Sequence, residues 1–179
     1  MVWTRQPSYR VRNAAVVLCG RFGAMFDAEL FDRIRNDPWI TERLMSICDF
    51  ELWRVEYGPV EPVHLAGGEP LEMIAGDASG GAFMLVGSGD ERPVVYVGSE
   101  GTGGLVGTSL REALALLVAE VDEELREYEP TLDADRQRLR EALDLPPVEG
   151  SLEKLHRLAA DEAYRPISDA GDRYEPGWY

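Results

Sequence analysis

The spacing of apolar residues divides this chain into helical ends and a strand-rich middle. Phe22, Met25, Phe26, Leu30, Phe31 and Ile34 recur three and four apart, which predicts an amphipathic helix over Phe22–Ile34 stopped by Asn36-Asp37-Pro38. A second helix beginning near Pro38 turns Trp39, Ile40, Leu44 and Ile47 inward, with the proline in its first turn. Upstream, the apolar run Val11–Cys19 fits a strand or the opening turn of a helix, with strand preferred. Leu52, Arg54 and Glu56 alternate with Trp53, Val55 and Tyr57, the period of a half-buried strand, and Gly58-Pro59 ends it. Prolines and paired Gly67-Gly68 mark 60–71 as a connecting loop with one short strand at Val63–Ala66.

The middle then reads as strands separated by turns. Leu71–Ala75 and Ala82–Val86 flank the turn Gly76–Gly81, where Asp77 and Ser79 can bond the local backbone and glycine supplies positive φ. After the turn Gly87–Asp90 comes the β-branched and aromatic strand Val94–Val97, then a turn at Gly98–Gly104 and a short strand at Leu105–Thr108. Consecutive strands joined by short turns imply an antiparallel meander. Ser109-Leu110-Arg111-Glu112 is a capping box that opens a helix with Leu110, Ala113, Leu114, Leu117, Val121 and Leu125 inward and Pro130 at its end. Leu132–Leu143 is also helical, stopped by Leu145-Pro146-Pro147. Ser151 is expected to cap a last helix that buries Leu152, Leu155, Leu158 and Ala159. Beyond Arg165 no period emerges, and a packed arm or a loose tail fits equally.

At 179 residues the chain suits one buried core, and 45% hydrophobic with 28% charged residues is a globular composition. Its net charge of −15 argues against binding nucleic acid or an anionic membrane, both of which call for clustered Lys and Arg. A basic protein is the complementary partner. The acid accumulates along the chain, from −1 over residues 1–66 to −5 over 67–119 and −9 over 120–179. Cys19 and Cys48 have no Cys-x-x-Cys spacing and read as small core residues, with free thiols that suit a reducing cytosol. The run Ala14–Cys19 is too short for a signal sequence, Leu18 stands where a lipoprotein signal wants a small residue, and no window nears the ~18 apolar residues of a membrane span. A cytoplasmic protein is expected.

No motif supplies catalysis. Gly98–Ser109 is glycine-rich before a helix, yet Gly103 is followed by Gly104 and Leu105 instead of Lys and Ser or Thr, and Val106 stands where a dinucleotide fingerprint needs glycine. No cofactor is expected. Asp77 with Ser79, and Ser99 with Glu100, read as turn residues that satisfy backbone amides. His64 and His156 lack the Cys or acidic neighbours of a zinc site, so no metal is expected, and there is no nucleophile elbow. The feature that departs from average is the acidic run Glu120, Asp122, Glu123, Glu124, Glu127 and Glu129. It is either a solvated helix face or a partner-binding patch for a basic protein surface. Trp39, Trp53, Tyr57 and Tyr96 are candidate anchors, with core placement the plainer reading.

Three stretches carry a family resemblance: Gly76-Asp77-Ala78-Ser79-Gly80-Gly81-Ala82-Phe83, then Pro93-Val94-Val95-Tyr96-Val97, then Ser109-Leu110-Arg111-Glu112-Ala113-Leu114. Over roughly its middle third the chain resembles the SMI1/KNR4 (SUKH) superfamily, with its Gly-Asp turn before an aromatic strand, Pro-Val-Tyr strand and Ser-Leu-x-Glu-x-Leu helix. Leu145-Pro146-Pro147 and the helix after Ser151 look like extensions of actinobacterial relatives. The resemblance implies an α+β fold, a bent antiparallel sheet of about five to six strands flanked by N-terminal helices and a C-terminal helical extension. One domain would span 1–179, with its core at about 11–128, the extension at about 130–165 and a tail at 166–179. Many bacterial members are regarded as immunity proteins that neutralise a toxin, often a nuclease, while fungal members act as interaction hubs. The family lends no catalytic residues. A non-enzymatic immunity-type binding protein is therefore the leading expectation, a regulatory scaffold the second, and an enzyme with a site around Asp77, Tyr96 or Glu100 the third. The long acidic extension departs from the family pattern.

Overall fold

A computed structural model describes residues 27–120 and 129–177. The expected Val11–Cys19 strand, the first turn of the Phe22–Ile34 helix, and the positions Val121 and Leu125 lie outside these residues. Helices α1 (Asp27–Asn36) and α2 (Pro38–Cys48) are separated by Asp37, whose carboxylate accepts from the amides of Trp39 and Ile40. That cap satisfies amides the helix leaves free, while Pro38 brings no donor to satisfy. Leu30, Ile34, Ile40 and Leu44 are buried. Among the described residues no helix is long and apolar enough to cross a membrane.

The strands are β1 (Val63–His64), β2 (Leu71–Gly76), β3 (Ala82–Val86), β4 (Val94–Val97), β5 (Thr102–Gly107), β6 (Ile167–Ser168) and β7 (Glu175–Pro176). One sheet has the order β2-β3-β4-β5-β7, and β1 pairs with β6 in a second. The β2–β5 meander is antiparallel, as its turns predict, with an extra residue in β2 at Ile74 and in β5 at Val106, irregularities of the kind that bend strands. The α+β architecture holds, with two corrections to the sheet. It is mixed, because β7 joins β5 in parallel, so residues 166–177 pack as an arm. In addition, β5 starts at Thr102 instead of Leu105. A Cβ at Gly103 would lie 2.6 Å from the carbonyl oxygen of Tyr96, so the glycine that suggests a loop is what lets this strand close on β4.

Period-two alternation divides the sheet between two cores. Phe83, Leu85, Val94, Tyr96 and Val106 face the helices, whereas Met84, Val86, Val95, Val97 and Leu105 face Leu65 and Tyr174. The helical side receives α3 (Leu110–Ala119), α4 (Leu132–Ala142) and α5 (Ser151–Ala159). Leu132, Leu139, Leu143 and Leu155 enter the same buried cluster as Leu114, so the C-terminal helices share the core of the meander. Cys48 lies in it too, its thiol pushed up to about 12 by burial.

Three further expectations change. The Leu52–Tyr57 segment is a 3₁₀ helix, not a strand. Glu51 takes both backbone bonds available at Gly76 (2.8 and 3.0 Å), after which the Arg54 amide turns back to the Glu51 carbonyl, and the alternation beyond finds no ladder to join. The helix expected to run to Pro130 ends at Ala119, with Glu120 extended at φ −92°, ψ 107°. Arg136 of α4 donates to the carbonyls of Val118 (2.7 Å) and Ala119 (2.5 Å), satisfying end groups that a longer helix would have used. Ser151 does not cap α5. Left-handed Gly150 occupies that position, and the serine hydroxyl donates to Glu120 (2.6 Å). The inner face of α5 is centred on Leu155 and Ala159, and Leu152 is 46% exposed. A Cβ at Gly104 would lie 2.6 Å from the Ala159 carbonyl oxygen, so this end of the helix rests directly on the sheet backbone. The Ser109 cap of α3 is as expected (3.2 Å), although Glu112 reaches back to the Thr108 amide and hydroxyl (2.8 and 2.5 Å), one residue earlier than a capping box requires.

Candidate functional site

The β2–β3 turn is held by a buried carboxylate. Asp77 accepts from the Ser79 hydroxyl (2.6 Å), the Gly81 amide (2.8 Å) and the Tyr96 hydroxyl (2.7 Å), and it has no exposed surface. Burial, reinforced by the bond to Asp77, holds the Tyr96 phenol far above its ordinary value, so the hydroxyl stays a donor. These groups satisfy one another and tie the turn to β4. Asp49, in a left-handed conformation at the end of α2, accepts from the Ala78 amide (3.1 Å) on the turn's other side. Burial raises its carboxyl above the usual range despite that bond. Glu100 is exposed in the neighbouring turn.

Beside this knot the 3₁₀ segment carries aromatic rings into solvent. Trp53 is 52% exposed and Tyr57 is 75% exposed, with ring centroids 5.7 Å apart and planes at 86°. The guanidinium of Arg54 lies 4.7 Å from the centre of the Trp53 ring and bonds the Glu51 carboxylate. The stem of Arg54 abuts Gly76, which fixes the segment against β2. Val60, 68% exposed, sits over the turn: a Cβ at Gly80 would lie 3.2 Å from its Cγ2 and 3.7 Å from the Cβ of Ser99. Trp53, Tyr57 and Val60 thus lie along one end of the sheet with both tight turns. In segments 49–61, 76–81 and 98–101 the acids are Asp49, Glu51, Glu56, Glu61, Asp77 and Glu100, and the base is Arg54.

Only the two ends of the acidic run fall within the described residues. Glu120 is half-buried and bonded to Ser151, Glu129 is exposed before α4, and Asp122, Glu123, Glu124 and Glu127 lie outside the described residues. Of the four candidate anchors, Trp53 and Tyr57 are in solvent, Tyr96 is core, and Trp39 is half-buried beneath the Arg138 guanidinium, 3.9 Å from its ring centre. The sequence signal for the exposed pair was the phase of the alternation in 52–57, which places Trp53, Val55 and Tyr57 together. A strand reading turns that phase toward a core. A cleft of about 230 Å³ between α1 and the β3–β4 connection has no signature in the sequence. There Arg92 donates its amide to Asp27 (2.8 Å) and its guanidinium to Glu72 (2.5 Å). No cluster of three or more His, Cys, Asp or Glu is placed to hold a metal among the described residues. The chain matches no family model, no curated protein and no solved structure.

Proposed function

We propose that this chain is a non-enzymatic protein-binding module of the immunity type, which binds and neutralises a basic toxin domain, possessing nuclease activity or another, in the cytoplasm. The observation that carries the reading is the exposed Trp53–Tyr57 pair with Val60 at an end of the sheet where acids outnumber bases. Solvent-exposed apolar patches ringed by polar groups mark interaction surfaces, and aromatic residues dominate the energetics of such surfaces. A net charge of −15 adds long-range attraction toward a basic domain and can cover its phosphate-binding face. The resemblance of the middle third to SUKH proteins supports the same reading. It requires no cofactor. The acidic residues Glu120 to Glu129 serve in it as a second, steering patch.

Co-purification of the tagged chain from its native host at low salt, followed by mass spectrometry, tests the proposal. One basic toxin domain is expected, together with rescue of cells from that toxin on co-expression. Recovery of no specific protein would sink it. Several weaker partners without rescue would favour the regulatory-scaffold reading instead.

A further inference from the structure

We infer that the Trp53–Tyr57 face binds arginine side chains of its partner and selects arginine over lysine. This rests on the protein-binding reading and adds to it the chemistry of the partner's contact group. Trp53 already carries a guanidinium in the chain's own Arg54, 4.7 Å from the ring centre, as Trp39 does with Arg138 at 3.9 Å. Arg54 is also held by Glu51, so its charge is balanced locally and does not neutralise the rest of the surface. Tyr57 stands edge-on to Trp53 at 86° and is 75% exposed, leaving open an aromatic corner in which a planar cation can stack.

The charges around this corner favour such a guest. Glu56, on the same 3₁₀ segment, and Glu100, in the neighbouring turn, are exposed and have no bonded partner among the described residues. Arginine suits this combination better than lysine. Its guanidinium is flat and weakly hydrated, so it can lie on a ring while its edge forms paired bonds to a carboxylate, whereas ammonium is a compact, strongly hydrated point charge. A purely electrostatic surface would take either cation. The asymmetry between arginine and lysine is therefore the signature of this geometry.

The test titrates the intact chain, by calorimetry, with an oligo-arginine peptide and an oligo-lysine peptide of equal length and charge. The arginine peptide should bind roughly fivefold to thirtyfold more tightly, the product of two exposed stacking contacts. In the double variant W53A/Y57A that preference should vanish, the arginine peptide losing more than the lysine peptide, and in W53F/Y57F, which retains both ring faces, the preference should survive. E56Q should weaken both peptides by about twofold to threefold. Equal affinity of the two peptides for the unmodified chain would overturn the inference, as would a preference that persists in W53A/Y57A or is lost in W53F/Y57F. The binding reading fails separately. If W53A/Y57A recovers the same host partner as the unmodified chain, this face is wrong and the module survives; if the unmodified chain recovers none, the module reading falls.

Discussion

The β2–β5 meander and the 49–61 segment meet at Gly76, and they solve opposite problems. Every residue of β3 and β4 is buried, with the two faces of the sheet feeding separate cores. The segment from Leu52 to Tyr57 contains no buried residue and places two aromatic rings in water. Both stretches carry a strand-like pattern, unbroken apolar runs in β3 and β4 and alternation in 52–57, so the pattern alone does not decide whether a side chain is enclosed. What separates them is backbone pairing. Each meander strand has a partner that continues the ladder, whereas Glu51 makes its bridge to Gly76 and the chain then coils. One region encloses its apolar surface in the core, and the other leaves its own in water.

Substitutions should separate these roles. The largest effect is expected for Leu114→Ala, since Leu114 has no exposed surface and α3 packs on β5. A loss of about 2 to 5 kcal/mol in urea unfolding is expected, and a loss below about 1 would mean that the helix-side core is not where stability resides. Tyr96→Phe comes next. It removes the hydroxyl that donates to buried Asp77, at a cost of about 1 to 3 kcal/mol, and an unchanged unfolding midpoint would show that the knot is dispensable.

A smaller effect follows pH. Burial pushes the Glu112 carboxyl upward, but the bonds from Lys154 and Thr108 outweigh it and hold the group below its ordinary 4.5. A depressed acid contributes stability that is complete above its unfolded-state value and is lost as pH falls through the folded value. Because the pair is partly exposed, the contribution is below about 1 kcal/mol. Lys154→Met should flatten the acid side of the stability profile, and a profile unchanged by the substitution would assign the acid dependence elsewhere. The smallest stability effect is expected for W53A/Y57A, which should stay within about 0.5 kcal/mol of the unmodified chain in the same urea experiment. A loss as large as that of Leu114→Ala would erase the distinction between the two regions.

The two regions also differ in how plainly the chain encodes them. Ala82–Val86 and Val94–Val97 emerge with the bounds expected of them, because β-branched and aromatic residues between glycine turns leave few alternatives. The Asp77 turn was legible as turn chemistry, although nothing local announces that Tyr96, nineteen positions away, completes it. The end of α3 was not legible either. It is fixed by Arg136, which reaches the last carbonyls from another helix. Of the candidate site, the aromatic residues were visible and their exposure was not, since exposure depended on the missing ladder beyond Glu51.

The short parallel strand β7 has a consequence for association between copies of the chain. An open strand edge invites further strands to add, the route by which sheets polymerise. On the β5 side that edge is occupied by two residues, Glu175 and Pro176, and Pro176 stands opposite Gly103. Proline has no amide proton to offer and glutamate brings charge, so this side of the sheet ends in a two-residue strand that resists templating another chain.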